Sequence, residues 1–251
     1  MMLTIRKQHV CALLVLIAGL AFADEPAPQS VPVNRRTRII NGWTVHIDER
    51  LLKQEPQATR LALDLLKKQL AEIVRVVPKP AVAKLRKVPL YFSPQYPNQS
   101  GRAEFHPGEE WLKKNGRDPV MVKGVEFSNI PIFEQETRRM PNFALHELAH
   151  AYHNLFLDEG FGNPRVLTAF ERAKDSGSYD NVERWHGQPN RNTMEKAYAI
   201  TNPMEYFAET TEACFSRNDF YPFNREELQK HDPDMFALLI ELWGVGAGNK
   251  Q

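Results

Sequence analysis

The residues best equipped for chemistry lie in one stretch, Met140 to Leu157, which contains His146-Glu147-Leu148-Ala149-His150. On an α-helix, positions i and i+4 share a face one turn apart, so the two imidazoles can approach a single metal ion. Glu147 is rotated by one residue and sits beside such a metal without being forced to bind it. Two neutral nitrogen ligands and a free carboxylate suit a zinc hydrolase, in which the metal acidifies a water and the carboxylate takes its proton. A pattern this short also arises by chance. Its weight depends on a helical context and a third ligand.

The flanking residues supply the helix. Ala144, Leu145, Leu148, Ala149, Tyr152, Leu155 and Phe156 recur at helical spacing. Pro141 suits a first turn, where its missing N–H costs nothing, and Gly160, Gly162 and Pro164 stop the element. Histidines and a glutamate on so apolar a helix are costly unless something binds them.

The third ligand is sought in Tyr198-Ala-Ile-Thr-Asn-Pro-Met-Glu-Tyr-Phe-Ala-Glu209. Asn202 is a good helix N-cap and Pro203 a good first residue. Glu205 and Glu209 then fall on one helical face. Glu205 can complete a His146, His150, Glu205 set. Glu209 can accept the free ring N–H of a ligand histidine and fix its tautomer. The competing reading makes both carboxylates solvated surface charges, and Glu209 and Glu212 by themselves favour it. A third histidine six positions after His150 is ruled out, because that residue is Phe156. His153 is within reach of the metal, but its spacing favours a packed or outer position. Asp158 reads as a capping or surface charge.

With these residues in place, the chain resembles the catalytic domain of anthrax lethal factor-like metallopeptidases, which are gluzincins, zinc peptidases with a glutamate third ligand. The resemblance rests on His146-Glu147-x-x-His150 and on Tyr198-x-x-Thr201-Asn202-x-x-Glu205-Tyr206-Phe207-Ala208-Glu209. Tyr206 departs mildly from the phenylalanine of the family pattern. The likeness spans roughly residues 40–243, with its specific motifs confined to 146–150 and 198–209. It implies Tyr198 as a hydroxyl donor to the developing oxyanion. It also implies a zincin-like α+β fold: a small mixed sheet with an antiparallel edge strand, packed on the His146–His150 helix. It carries over neither a substrate nor a receptor-binding domain.

The elements that must hold these groups are legible in outline. Trp43–Ile47, Val88–Phe92, Ala103–His106 and Gly124–Ser128 read as strands, and Glu55–Val77 as an amphipathic helix ended by Pro78 and Pro80. Gly124–Ser128 leads into the metal helix and is expected at the sheet edge, where an extended peptide could add by backbone hydrogen bonds. Pro164–Lys174 reads as a helix and Asp175–Thr193 as a long loop, from which Tyr179, Trp185 and His186 could face a cleft or pack on the surface. A mostly helical C-terminal half follows.

Residues 1–23 read as a secretory signal peptide: Arg6 and Lys7, an apolar run from Val10 to Leu20, and Ala21-Phe-Ala23 as the cleavage site. An uncleaved membrane anchor is the alternative. Residues 24–38, with Pro26, Pro28 and Pro32, read as a disordered or extended lead-in, and 39–251 as one domain. Of the 2 cysteines, Cys11 lies in the leader. Cys214 is left alone as a small core residue, which excludes a disulfide-stapled fold. The 32 basic and 31 acidic residues give no basic excess that would suggest nucleic acid.

The reading is therefore a secreted or periplasmic zinc endopeptidase with one Zn2+ per chain. Glu147 is its general base, Tyr198 its oxyanion donor, and His146, His150 and Glu205 its ligands. Its partner would be a peptide or protein substrate, without stable membrane insertion after leader cleavage, and the chain would act as a monomer. The rival reading is a catalytically silent envelope-binding module on the same scaffold.

Overall fold

The computed structural model describes residues 33–246, so the expected leader (1–23) and most of the expected lead-in (24–38) lie outside it. Strands β1 (Arg35–Ile40) and β2 (Trp43–Asp48) form a hairpin. Its two-residue turn, Asn41-Gly42, holds both residues at positive φ (49° and 94°), as the twist of such hairpins requires. The first strand among the described residues thus starts at Arg35 rather than near Ile39: an arginine-rich edge pairs with β2 and needs no apolar alternation to do so.

Helices α1 (Glu49–Gln54), α2 (Pro56–Val76) and α3 (Lys79–Leu85) come next. The buried stripe of α2 runs through Ala62, Leu63, Leu66, Leu70 and Ile73, whereas Leu61 and Val74 are exposed. Pro78 and Pro80 do end α2, but they also open α3, because proline is tolerated in a first helical turn.

The remaining strands of the main sheet are β3 (Leu90–Phe92), β4 (Ala103–Phe105) and β5 (Val125–Phe127), with α4 (Glu109–Lys114) between β4 and β5. The order is β1-β2-β3-β5-β4. The β2/β3 and β3/β5 pairs are parallel, and β1 and β4 are antiparallel edges. The residues 124–128 expected at the edge therefore form an inner strand. Val125, Glu126 and Phe127 are all buried, as a strand covered on both faces must be. The edge facing the metal helix is β4 instead.

Helix α5 (Phe133–Arg139) leads into α6 (Phe143–Phe156), which carries the histidines. Pro141 lies outside α6, ahead of its N-cap, Asn142. Every side chain of α6 from Phe143 to His153 is buried. The helix lies between the apolar face of the sheet (Val45, Ile47, Leu90, Phe92, Val125, Phe127) and α8 (Pro203–Phe215). A ring cluster of Phe92, Phe127, Phe133 and Phe143 seals its N-terminal end.

Beyond α7 (Pro164–Ser176), the expected loop contains a small hairpin, β6 (Val182–Arg184) with β7 (Thr193–Glu195). Strands this short, with polar alternation, leave little trace in sequence. A 3-10 turn at Tyr198–Thr201 leads into α8, and α9 (Arg225–His231) and α10 (Pro233–Leu242) are the last helices among the described residues. The whole is a mixed α+β fold. No helix among the described residues is long and apolar enough to cross a membrane.

Asn142 ties this scaffold together. Its Oδ1 accepts the Leu145 N–H at 3.1 Å, and its Nδ2 donates to the Gln69 carbonyl and to Glu72 of α2, also at 3.1 Å. Gln69 Oε1 in turn accepts the Ala144 N–H. Asn142→Ala would remove a helix cap and strand buried partners. It should lower the unfolding free energy by about 1–3 kcal/mol. Equal urea midpoints for variant and wild type would contradict this role.

Candidate metal centre

His146 and His150 project from successive turns of α6, and Glu205 comes from the first turn of α8. The α8 start follows from its sequence: Asn202 Oδ1 accepts the Glu205 N–H at 2.9 Å, and Pro203 takes the first helical position. The capped turn fixes Glu205 opposite the histidines. His146 Nε2 and His150 Nε2 stand 3.1 Å apart, and Glu205 Oε2 is 3.1 Å from the first and 3.3 Å from the second. Two imidazole nitrogens and a carboxylate oxygen crowd together in this way when they share a cation.

That triangle fits a metal. Ligands at about 2.0–2.1 Å in a tetrahedron lie about 3.3 Å from one another. His146, His150 and Glu205 are therefore positioned to hold a metal ion. They line a cleft of about 680 Å³ that also receives Glu147, Tyr198 and the edge strand β4. Three protein ligands leave one tetrahedral position for a water or substrate.

The charge balance supports the same conclusion. Burial alone would lower the His146 pKa, but hydrogen bonds with Glu205 and Glu212 outweigh it and raise it well above the usual imidazole value. Burial likewise opposes ionisation of Glu205, yet its hydrogen bonds with His146 and His150 hold it well below the carboxylate range. Burial raises Glu147, against the opposing charges of His146 and His150 and the hydrogen bond from the Phe105 main chain. A raised carboxylate is suited to general-base work near neutrality.

The outer partner of His146 differs from the expected one. Glu212 Oε2 lies 2.9 Å from His146 Nδ1, whereas Glu209 Oε1 is 3.7 Å away. Glu212 therefore takes the ring N–H, and Glu209 stands behind it, accepting from Asn218 at 3.0 Å. Neither glutamate is a solvated surface charge; both are buried. The spacing 205, 209, 212 is one helical stripe, so the sequence held the signal for Glu212. Burial pushes Glu212 up to about 7 and Glu209 well above the usual value. His146, Glu209 and Glu212 also come close enough to be weighed as a metal set. That set is sealed from the cleft on the Glu212 side and uses the ring nitrogen that already faces Glu212. The first set is the better centre.

The other candidates sort as follows. Tyr198 is half-exposed on the cleft wall, with its hydroxyl pKa raised by burial. His153 is fully buried between Phe161 and Phe207, with neither ring nitrogen hydrogen-bonded; burial lowers it to about 4, so it packs as a neutral ring. Tyr179 is core rather than surface. Its hydroxyl and that of Tyr206 both donate to Asp232 Oδ2, which gives the tyrosine at 206 a partner that phenylalanine would lack. Trp185 donates to the Arg138 carbonyl, and His186 pairs with Thr193, so neither faces the cleft. Cys214 is buried with its thiol raised to about 11, an inert core residue.

Sequence reasoning did not find the opposite cleft wall, where Arg139 pairs with Asp219 and Glu136, and Arg184 stands over the Phe220 ring. These residues are scattered over α5, β6 and the loop after α8, and no local pattern links them.

No family model matches the chain, and no curated protein or solved structure matches it either.

Two outcomes follow from this geometry. Glu212→Ala should weaken metal binding about 10- to 100-fold in chelator competition, and Glu209→Gln should weaken it less. An equal effect of the two would return Glu209 to the role first assigned to it. Because its hydrogen bonds with Glu205 and Glu212 raise the His146 value, metal binding through Nε2 competes with a proton there, and affinity should fall as pH is lowered. Calorimetry in buffers of different ionisation enthalpy should register proton release, and a buffer-independent enthalpy would contradict it.

Proposed function

We propose that the chain is a zinc-dependent endopeptidase of the lethal factor-like gluzincin type, exported and then freed of its leader. The observation that carries this is the His146, His150, Glu205 triangle with a second carboxylate, Glu147, beside its open side in a cleft. Two histidines and a carboxylate also serve iron in oxygenases. A buried carboxylate next to the open position favours hydrolysis, because an oxygenase has no need of a base there.

Zinc held by His146, His150 and Glu205 would acidify an attacking water and polarise the scissile carbonyl. Glu147 takes the proton from that water at its carboxylate and passes it to the leaving nitrogen. Tyr198, on the cleft wall, donates its hydroxyl to the oxyanion. Glu212 holds the His146 ring in the tautomer that leaves Nε2 free. The cleft is open along β4, which suits an extended peptide. The rival reading, a binding module without turnover, has no use for Glu147 in this position.

The test is metal analysis and cleavage of a peptide library by the purified protein and its Glu147→Gln variant. The wild type should carry one zinc and cleave. The variant should keep its zinc and lose activity by about 10²- to 10⁴-fold. Zinc with no cleavage by the wild type would leave the binding module, and undiminished cleavage by Glu147→Gln would remove Glu147 as the base. Glu205→Ala should lose zinc at low free metal; full occupancy would move the third ligand elsewhere.

A further inference from the structure

The cleft holds one hydrogen bond that the proposed chemistry leaves without a role. The main-chain N–H of Phe105 donates to Glu147 Oε2 at 2.9 Å. Phe105 lies on β4, the free edge of the sheet, opposite Val125. Antiparallel pairing alternates. Arg102 and His106 bond to β5 and its extension, through Ser128 N–H to the Arg102 carbonyl and His106 N–H to the Gly124 carbonyl. The main-chain groups of Ala103 and Phe105 therefore point the other way, into the cleft. One of these outward donors is spent on the base itself.

Nothing on α6 fixes the Glu147 carboxylate, and a base is effective only when held at the right distance and angle. The strand that holds it is clamped from the other face of the sheet. Glu104 and Glu126 sit opposite each other there, like charges that would repel. Arg117 lies between them, bonding Glu104 and, at 2.8 Å, Glu126 through Nη1, and Gln99 at 2.8 Å through Nη2. Its guanidinium is stacked between the rings of Tyr96 and Trp111, 4.5 and 4.9 Å from their centroids. Tyr96 and His106 complete the coordination of Glu126 at 2.6 and 2.9 Å. A buried guanidinium with this many partners fixes β4 in register against β5.

We propose that the Phe105 main-chain N–H is the positioning group for Glu147, and that Arg117 sets its place by clamping Glu104 and Glu126 across the sheet. The inference rests on the peptidase reading. It assigns a function in that reaction to a backbone amide and to a guanidinium, Arg117, that does not line the cleft. Glu147 takes up an edge donor that a docking peptide would otherwise use, so an extended substrate pairs with β4 through its remaining groups, at Ala103 and the Phe105 carbonyl.

Phe105→Pro deletes the N–H and is tolerable on an edge whose N–H makes no sheet bond. Phe105→Ala loses the same ring and keeps the N–H. With zinc content equal, kcat for peptide cleavage should be about 10- to 100-fold lower in the proline variant than in the alanine variant, with KM little changed. Equal kcat values in the two would overturn the proposal. Amide exchange gives a readout independent of turnover. In the wild type the Phe105 amide should exchange at least about tenfold more slowly than that of Ala103, and Glu147→Ala should abolish the difference. Arg117→Lys, which keeps the charge but cannot fork to three partners, should speed Phe105 exchange and lower kcat while zinc is retained. An Ala103-like rate for Phe105 in the wild type would overturn the proposal, and an unaffected Arg117→Lys would remove the clamp. A wild type that binds zinc but cleaves nothing would sink the peptidase reading and this inference with it. A wild type that cleaves, with proline and alanine variants alike, would sink only the inference.

Discussion

Two imidazole nitrogens 3.1 Å apart, with a carboxylate oxygen within 3.3 Å of both, define an electrostatic problem that the rest of the chain is built to hold. Left to relax, these groups would swing apart or into water. They stay together because each is anchored on a helix that cannot move independently. Helix α6 is buried on every side and capped by Asn142, and α8 is capped by Asn202 and packed along α6. A cation at the centre turns the crowding into attraction. In its absence the hydrogen bonds with Glu205 and Glu212 raise the His146 value despite its burial.

The charge requirement reaches outward along α8. Glu205, Glu209 and Glu212 form one stripe, each deeper than the last, ending in Glu212 with no exposure to solvent. Buried carboxylates in series would repel one another, and burial accordingly raises the last two. The pattern becomes coherent when Glu205 faces a dication, Glu212 faces the ring N–H of a coordinated His146, and Glu209 rests on Asn218. Beyond them Asp219 is neutralised by Arg139 and Arg184. The fold thus carries alternating charge from the centre to the far cleft wall. Such an arrangement is easier to understand as support for a metal than as a contribution to stability, since buried ion pairs seldom stabilise on balance.

The centre was largely legible in sequence because its geometry is local. Residues four apart on a helix must share a face, and an Asn-Pro start fixes where the Glu205 helix begins. Most of the main-sheet strands were legible for a similar reason: short apolar runs bounded by turn residues. What stayed hidden depended on distance. Nothing local distinguishes Glu212 from Glu209 as the partner of His146; that choice belongs to the angle at which α8 crosses α6. The expectation that residues 124–128 form the sheet edge fails because the strand nearest α6 in sequence is not the one nearest in space, and crossover order leaves no mark on a three-residue strand. The β6–β7 hairpin and the Arg35–Ile40 edge were missed because polar, exposed strands owe their existence to a partner rather than to their own pattern.

The two faces of the sheet carry different kinds of information. Toward α6, Ala103, Phe105, Val125 and Phe127 are apolar and fix how far the sheet stands from the helix. Away from α6, Glu104 and Glu126 are charged and fix how β4 is registered along β5, because a slip of β4 by one residue would turn Glu104 into the apolar layer. Packing alone would tolerate small slides of a three-residue edge strand. A guanidinium held by two carboxylates, an amide and two rings does not. The short edge thereby acquires a rigidity that its length cannot provide, and it spends that rigidity where β4 meets the metal helix, at the amide of Phe105 against the carboxylate of Glu147.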